Sequence, residues 1–380
     1  MKQSGRNWNG YLHETFLKIG LLQCESDPCV YFQQEIIIGI HVDDMLVVGK
    51  CAQIKKFKSL IAEEIKVKDL GPASMILSVR VKRNADGSVK IDQNQYVDQV
   101  LEELEAEELF EHPAPLPSKV VKREEQTEEN KFDEYRYRQA IGCILYASGT
   151  TRPDLSYAVS KLSQYNECPT KEDWKNVEHV LGYLKKTREY GIHYSRSGHP
   201  LQVYVDADYA GDVTDAISVS GYVIKLANGG ISWRSKKQTM PKKKTPKEET
   251  VPKKSGDREE EQPLVATSTT HAEYYALYEV TIEVEWLIQL LTELGQEKFV
   301  KKPVKIYVDN KGAIKVALKE ENSERTKNIN IKFHYIRQLV KQGIIELVHV
   351  KSNMNQADLL TKSLVGSRTK DLVRSMGVYV

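Results

Sequence analysis

Four carboxylates, widely separated in the chain, sit in short contexts that place each at a strand end or a helix start. They are Asp206 in Tyr204–Asp208, Glu273 in Ser268–Tyr274, Asp309 in Ile306–Asn310 and Asp358 in Asn355–Asp358. Hard oxygen ligands brought together by folding hold hard divalent cations, and two such cations against a phosphodiester make a nuclease site. Taken singly, each has a plainer explanation. Asp309 before a helix serves either as an N-cap or as a metal ligand, Glu273 in a first helical turn answers the helix dipole, and Asp358 reads as an exposed helical acid. The four together, in this order of strands and helices, point to a metal site.

The elements that must position them are readable from apolar periodicity. Strands are expected at Leu201–Asp208, Val219–Leu226 and Gly230–Ser235, the last after the turn pair Asn228-Gly229. In the first, side chains alternate, so Asp206 and Asp208 share a face with Tyr204 while Val203 and Val205 bury behind. A long helix follows over Thr270–Leu294, then a strand Val304–Val308, helices Lys311–Leu318 and Ile331–Lys341, a strand Ile344–Val350 and a helical stretch from Gln356. Three antiparallel strands followed by two αβ units predict a mixed five-stranded sheet with helices on both faces.

Upstream, Tyr135–Ala147, Pro153–Glu167 and Asp173–Thr187 carry helical spacing and make a connector. Residues 119–132 are charged with little to bury and read as a linker. Residues 240–263, rich in Lys, Glu, Pro and Thr, read as a disordered surface insertion. Before the linker, β-rich segments at Val30–Phe32, Glu35–His41 and Met45–Val48 alternate with helical ones at Ile54–Lys66 and Gln95–Leu109, an α+β unit. Ile36–Gly49 by itself is a hairpin with an Asp-rich turn at Asp43 and Asp44.

At 380 residues the chain has room for two or three domains. A net charge of +2 neither demands nor excludes a polyanionic partner. The 5 cysteines are odd in number, scattered and without zinc spacing, which predicts reduced thiols. The opening residues are polar, unlike a signal peptide, and the longest apolar run is broken by His41, Asp43 and Asp44. A soluble intracellular protein, cytoplasmic or nuclear and without a membrane partner, is expected.

From Tyr135 to Leu364 the chain resembles the ribonuclease H domain and connecting region of copia-type LTR retrotransposon Pol polyproteins. The resemblance lies in Arg152-Pro153-Asp154, Ala158–Gln164, Asp206–Asp212, Ser220-Gly221-Tyr222, Ile231–Gln238, Val308-Asp309-Asn310 and Ala357–Lys362. It implies catalytic and metal-binding roles for Asp206, Glu273, Asp309 and Asp358, two Mg²⁺ ions with Mn²⁺ able to substitute, and hydrolysis of the RNA strand of an RNA/DNA hybrid. Lys236 and Lys237 become candidates for phosphate contact, beside the plainer reading of a solvated strand end. The first half, through Ile36–Gly49 with its flanks Lys2–Arg6, Asp27–Tyr31 and Val67–Pro72, resembles the palm of the same polyprotein's reverse transcriptase. On that resemblance Asp43 and Asp44 are a polymerase remnant. A third metal-binding Asp is missing, His41 stands in place of an aromatic residue and Ser78 in place of Gly, so a truncated or decaying element product is expected, unable to polymerise alone.

The domains expected are a truncated reverse transcriptase palm/thumb over 1–118, a linker over 119–132, a helical connection over 133–195, a ribonuclease H-like domain over 196–366 carrying the 240–263 insertion, and a C-terminal tail over 367–380. The fold class is therefore α/β combined with α+β. The partners implied are an RNA/DNA hybrid and a full-length retrotransposon polymerase. The alternatives are a non-catalytic nucleic-acid-binding remnant and an inert pseudogene product.

Overall fold

Amphipathic spacing at i and i+4 builds the first part of the molecule. In a computed structural model describing residues 3–118, 123, 125–211, 216–238, 268–318 and 330–380, Leu12 and Phe16 project from α1 (Ser4–Lys18) and Phe57 and Ile61 from α2 (Cys51–Glu64). Between these helices run β1 (Leu22–Gln23), β2 (Val30–Gln33), β3 (Ile36–His41) and β4 (Asp44–Gly49), an antiparallel meander in that order. Tyr31, Ile36 and Ile38 of the sheet pack with the four helical side chains into one core, with the Phe16 and Tyr31 rings edge to face at 4.8 Å. Truncating Phe16 to Ala would cost roughly 3–5 kcal/mol. A short strand, β5 (Met75–Ile76), ends this stretch.

The chain divides into two compact units, Met1–Ile76 with Ile282–Lys301, and Leu77–Thr281 with Lys302–Val380. Inside the first, Trp286 Nε1 donates to the Ser26 carbonyl at 2.9 Å, and the Glu293 carboxylate accepts from the Glu25 and Ser26 amides at 2.8 and 3.2 Å.

The second unit opens with the hairpin β6 (Val79–Arg83) and β7 (Val89–Asp92), then α3 (Asn94–Glu103). Helices α4 (Glu134–Thr150), α5 (Ser156–Leu162) and α6 (Lys171–Lys186) supply the connector. Their starts are written in the sequence. Asp133 accepts from the Tyr135 and Arg136 amides, and Thr170 with Asp173 closes a reciprocal capping box. A buried ion pair between Arg152 and Asp154, at 2.7 Å, also takes in the Tyr183 hydroxyl and Thr187. The charged linker is not wholly loose. Gln126 donates to the Pro169 carbonyl at 2.8 Å, and the Phe132 ring stacks on Trp174 at 4.5 Å.

After β8 (Gly191–Tyr194) come β9 (Gln202–Asp208), β10 (Val219–Leu226) and β11 (Gly229–Lys237), all at their expected places. The β10–β11 turn places Ala227 and Asn228 at φ 52° and 69°, the left-handed pair a two-residue hairpin requires. Then follow α7 (Thr269–Glu293), β12 (Val304–Val308), α8 (Lys311–Leu318), α9 (Asn330–Lys341) and β13 (Ile345–His349). The sheet order is β11-β10-β9-β12-β13, antiparallel across the first three and parallel from β9 through β12 to β13. This is the mixed five-stranded sheet the sequence predicts. Val219–Lys225 of β10 are buried at every position, as a strand covered on both faces must be.

One expectation is corrected. Residues 367–380 are no tail: α10 (Gly366–Ser375) and β14 (Val378–Tyr379) bury Leu372, Val373, Met376 and Val378 against Ile192, Val223, Leu359 and Leu360. β14 pairs antiparallel with β8, which pairs with β7, which pairs with β6, so the end of the chain completes a second sheet. The 240–263 insertion lies outside the described residues. Among the described residues no helix is long and apolar enough to cross a membrane.

Candidate active site

Asp206 lies near the end of β9, opposite Gly221 of β10. Its neighbour Val205 stands in register with Val308 of the parallel strand β12, so the next residue along that strand, Asp309, emerges at the same end of the sheet. Parallel pairing of these two strands is what turns two distant Asp residues into neighbours. The N-cap question for Asp309 is resolved one residue further on. Asn310 Oδ1 accepts from the Ala313 amide at 2.9 Å and caps α8, leaving the Asp309 carboxylate to the cluster.

Asp358 arrives on a 3₁₀ turn, Gln356–Leu360, rather than the longer helical stretch expected. Asn355 anchors that turn from both sides: its Oδ1 accepts from the Ala357 amide at 3.2 Å and its Nδ2 donates to the Val205 carbonyl at 2.9 Å. The turn lies so close to β10 that a Cβ on Gly221 would stand 2.7 Å from Thr361 Cγ2 and 2.8 Å from Leu360 Cβ. Only glycine fits there.

Glu273 stands in the first turns of α7, whose Ala272, Tyr274, Ala276 and Leu277 are buried. Gln238 fixes the helix start to the sheet by donating to the Ala272 carbonyl at 2.8 Å and the Ser220 hydroxyl at 2.9 Å.

The result is an acidic cluster at one end of the sheet. Carboxylate oxygens of Asp206, Asp309 and Asp358 all lie within 4.8 Å of one another. Asp206, Glu273 and Asp358 are buried and Asp309 is half-buried. Burial, with Lys362 opposing and Asp358 adding to it, pushes the Asp206 carboxyl up to about 6. Burial, reinforced by the Asp206 and Asp309 charges, pushes Glu273 up to about 9. Glu273 Oε2 is buried with no hydrogen-bond partner. An unpaired buried carboxylate oxygen facing other carboxylates is costly unless a cation completes it. Oxygen-only donors of this kind suit Mg²⁺ or Mn²⁺ rather than softer metals, so the residues present fit divalent cations.

Several contributors carry no distinct signal in the pattern of acidic residues. The Thr361 hydroxyl donates to Asp206 Oδ2. Lys362 Nζ stands 3.0 Å from Asp358 Oδ1 and 3.7 Å from Asp206 Oδ2. Arg368 reaches Asp358 Oδ2 at 3.3 Å. The available signal for Lys362 is its position four residues after Asp358, on the same side of a helical turn.

The other candidates lie elsewhere. Lys236, at the end of β11, is exposed, while Lys237 Nζ donates to Gln164 Oε1 at 2.7 Å. Asp43 and Asp44 sit at the exposed tip of the β3–β4 hairpin, where His41 pairs with Asp44 and Val42 adopts φ 56°. Trp8 Nε1 donates to the Val42 carbonyl at 2.8 Å and holds that turn. Among the described residues, no third acidic group joins Asp43 and Asp44 in a metal-ligating cluster.

The fold and site define a mixed-sheet α/β unit with a buried acidic cluster at one end of its sheet, joined in sequence to a small α+β unit. Residues 1–117 match the family model described as reverse transcriptase (RNA-dependent DNA polymerase). The whole chain is similar to the retrovirus-related Pol polyprotein from transposon TNT 1-94 of Nicotiana tabacum, 34% identical over 95% of this chain and 26% of that protein. It is 31% identical to a putative transposon Ty5-1 protein of Saccharomyces cerevisiae over 62% of this chain and 79% of that one. The chain belongs to the copia-type retrotransposon Pol family. It spans about a quarter of the curated Pol polyproteins it matches, 26% of one and 24% of another. Among solved structures it is similar to LC11-RNase H1 in complex with RNA/DNA hybrid, 16% identical over 42% of this chain and 93% of that one, with a TM-score of 0.27. A likeness at that score adds nothing to what the strand order already says.

Proposed function

We propose that residues 196–366 are a ribonuclease H that hydrolyses the RNA strand of RNA/DNA hybrids, with Asp206, Glu273, Asp309 and Asp358 as its metal ligands. The observation that carries this is the convergence of Asp206, Asp309 and Asp358, from three separate segments, on one end of a mixed sheet, with Glu273, whose Oε2 is buried and unpartnered, feeling the charges of Asp206 and Asp309. These residues would hold divalent cations, which would supply Lewis-acid polarisation of a phosphodiester and lower the pKa of a bound water.

The chain's own residues set the geometry. Asp206, near the centre of the cluster and steadied by the Thr361 hydroxyl, presents its carboxylate toward both Asp309 and Asp358. Asn355 and Gly221 together hold the Asp358 turn against β9 and β10. Glu273 must release the proton its surroundings favour before it ligates, which ties activity to pH. Choice of the RNA strand rests on contacts to 2′-hydroxyl groups, and exposed Lys236 is available for backbone phosphates.

Residues 1–118 belong, on this reading, to the reverse transcriptase part, and Asp43 with Asp44 is insufficient for polymerisation without a further carboxylate. The protein then works inside the cell alongside a full-length retrotransposon polymerase. The test is incubation of purified chain with Mg²⁺ and a labelled RNA/DNA hybrid. Cleavage that is lost in Asp206→Asn supports the reading, and absence of cleavage, or cleavage unchanged in that variant, ends it.

A further inference from the structure

The cluster holds a cation of its own, and its placement differs from that of the other basic groups nearby. Lys362 Nζ spans two of the proposed ligands, 3.0 Å from Asp358 Oδ1 and 3.7 Å from Asp206 Oδ2. Arg368 touches Asp358 and also donates to the Asn353 and Ser352 carbonyls, so it ties down the turn rather than entering the cluster. The Lys362 side chain is 39% exposed, beside an Asp206 side chain that is 3% exposed. Its head can reach solvent by rotation about its own stem without unpacking the site.

Resting on the ribonuclease reading above, we propose that Lys362 is a resident counter-cation of the carboxylate cluster. It neutralises Asp206 and Asp358 while the site is metal-free and gives way when a divalent cation binds. Three carboxylates within 4.8 Å repel one another strongly in a partly dry site, and one ammonium offsets part of that cost. The same ammonium repels an incoming cation. Lys362 therefore acts as a positioning residue that exchanges metal affinity for a preformed site.

The experiment compares the full chain with Lys362→Met and Lys362→Arg, using Mn²⁺ as the probe in titration calorimetry at pH 8.5 and thermal melting in EDTA. Lys362→Met should bind Mn²⁺ about tenfold more tightly, the scale expected for removing one nearby like charge at a partly exposed site, and should melt lower than the parent in EDTA. Lys362→Arg should keep the parent's melting temperature. If Lys362→Met melts lower but binds Mn²⁺ with unchanged affinity, Lys362 is only a structural tie and the inference is overturned, as it is if neither quantity moves. If the parent and Lys362→Met both fail to bind Mn²⁺, the ribonuclease reading falls and this inference with it.

Discussion

Acidic residues occur in two contrasting settings in this molecule. At the β3–β4 hairpin, Asp43 in the two-residue turn and Asp44 opening β4 are adjacent in sequence and exposed. At the end of the mixed sheet, Asp206, Glu273, Asp309 and Asp358 come from four separate segments, three of them buried and the fourth half-buried. Proximity in sequence costs nothing to fold and, among the described residues, gathers no third acidic group around this pair. Proximity in space is achieved against desolvation and like-charge repulsion, visible in the raised Asp206 and Glu273 carboxyls. A fold that maintains such a cluster bears a standing cost in the absence of a cation.

The sharpest way to break this comparison is to delete one member of each set. Asp206→Asn should lower hybrid cleavage by about a thousandfold or more, since it removes a ligand at the centre of the cluster. Asp43→Asn combined with Asp44→Asn should leave that rate unchanged, and a gel assay on labelled hybrid measures both.

A second, smaller effect is thermodynamic. Unfolded Glu273 ionises near its ordinary 4.5 whereas the folded chain keeps its proton up to about 9, and Asp206 shifts from 3.8 to about 6. The folded state thus binds more protons than the unfolded one across that window. The contribution is fully present below about 4 and is lost as pH rises toward 9. Melting in EDTA should fall by several degrees between pH 5 and pH 9, and Mg²⁺ should restore more of it at the higher pH. The Asp43→Asn, Asp44→Asn double variant should follow the same curve as the parent.

Third, Gly221→Ala tests the approach of the Asp358 turn to β10. The added methyl meets Thr361 and Leu360 at under 3 Å, so a loss of about 1–3 kcal/mol in urea denaturation is expected, together with weaker Mn²⁺ binding. The smallest effect is expected at the hairpin. Val42, a β-branched residue at φ 56°, is exposed. Val42→Gly should stabilise the protein by up to about 1 kcal/mol by relieving that strain, without altering metal binding.

Much of the sheet was legible because its signals are local. The valine alternation around Asp206 and the apolar run of Val304–Val308 each specify an element without help from distant residues, and each element lies where expected; the hairpin turn expected at Asn228-Gly229 falls one residue earlier, at Ala227-Asn228, with Gly229 opening β11. The helix Ser4–Lys18 leaves little trace in the sequence pattern. Its buried face rests mainly on Leu12 and Phe16, too few apolar positions to stand out among polar neighbours. The C-terminal segment is hard to read for a related reason: Leu372, Val373, Met376 and Val378 are scattered among charges, and only the groove left by Ile192, Val223 and Leu360 makes them core.

Near neighbours set side-chain alternation and capping, so the order of residues alone specifies which types are available and where each sits along a strand or helix. It therefore specified the four carboxylates and the order of elements that carry them. The tertiary structure decided what they become. Parallel pairing of β9 with β12 sets Asp309 beside Asp206, and the Gly221 gap admits the Asp358 turn with Thr361 and Lys362. Those outcomes depend on desolvation and charge between groups more than a hundred residues apart, terms that arise only when the chain has closed on itself.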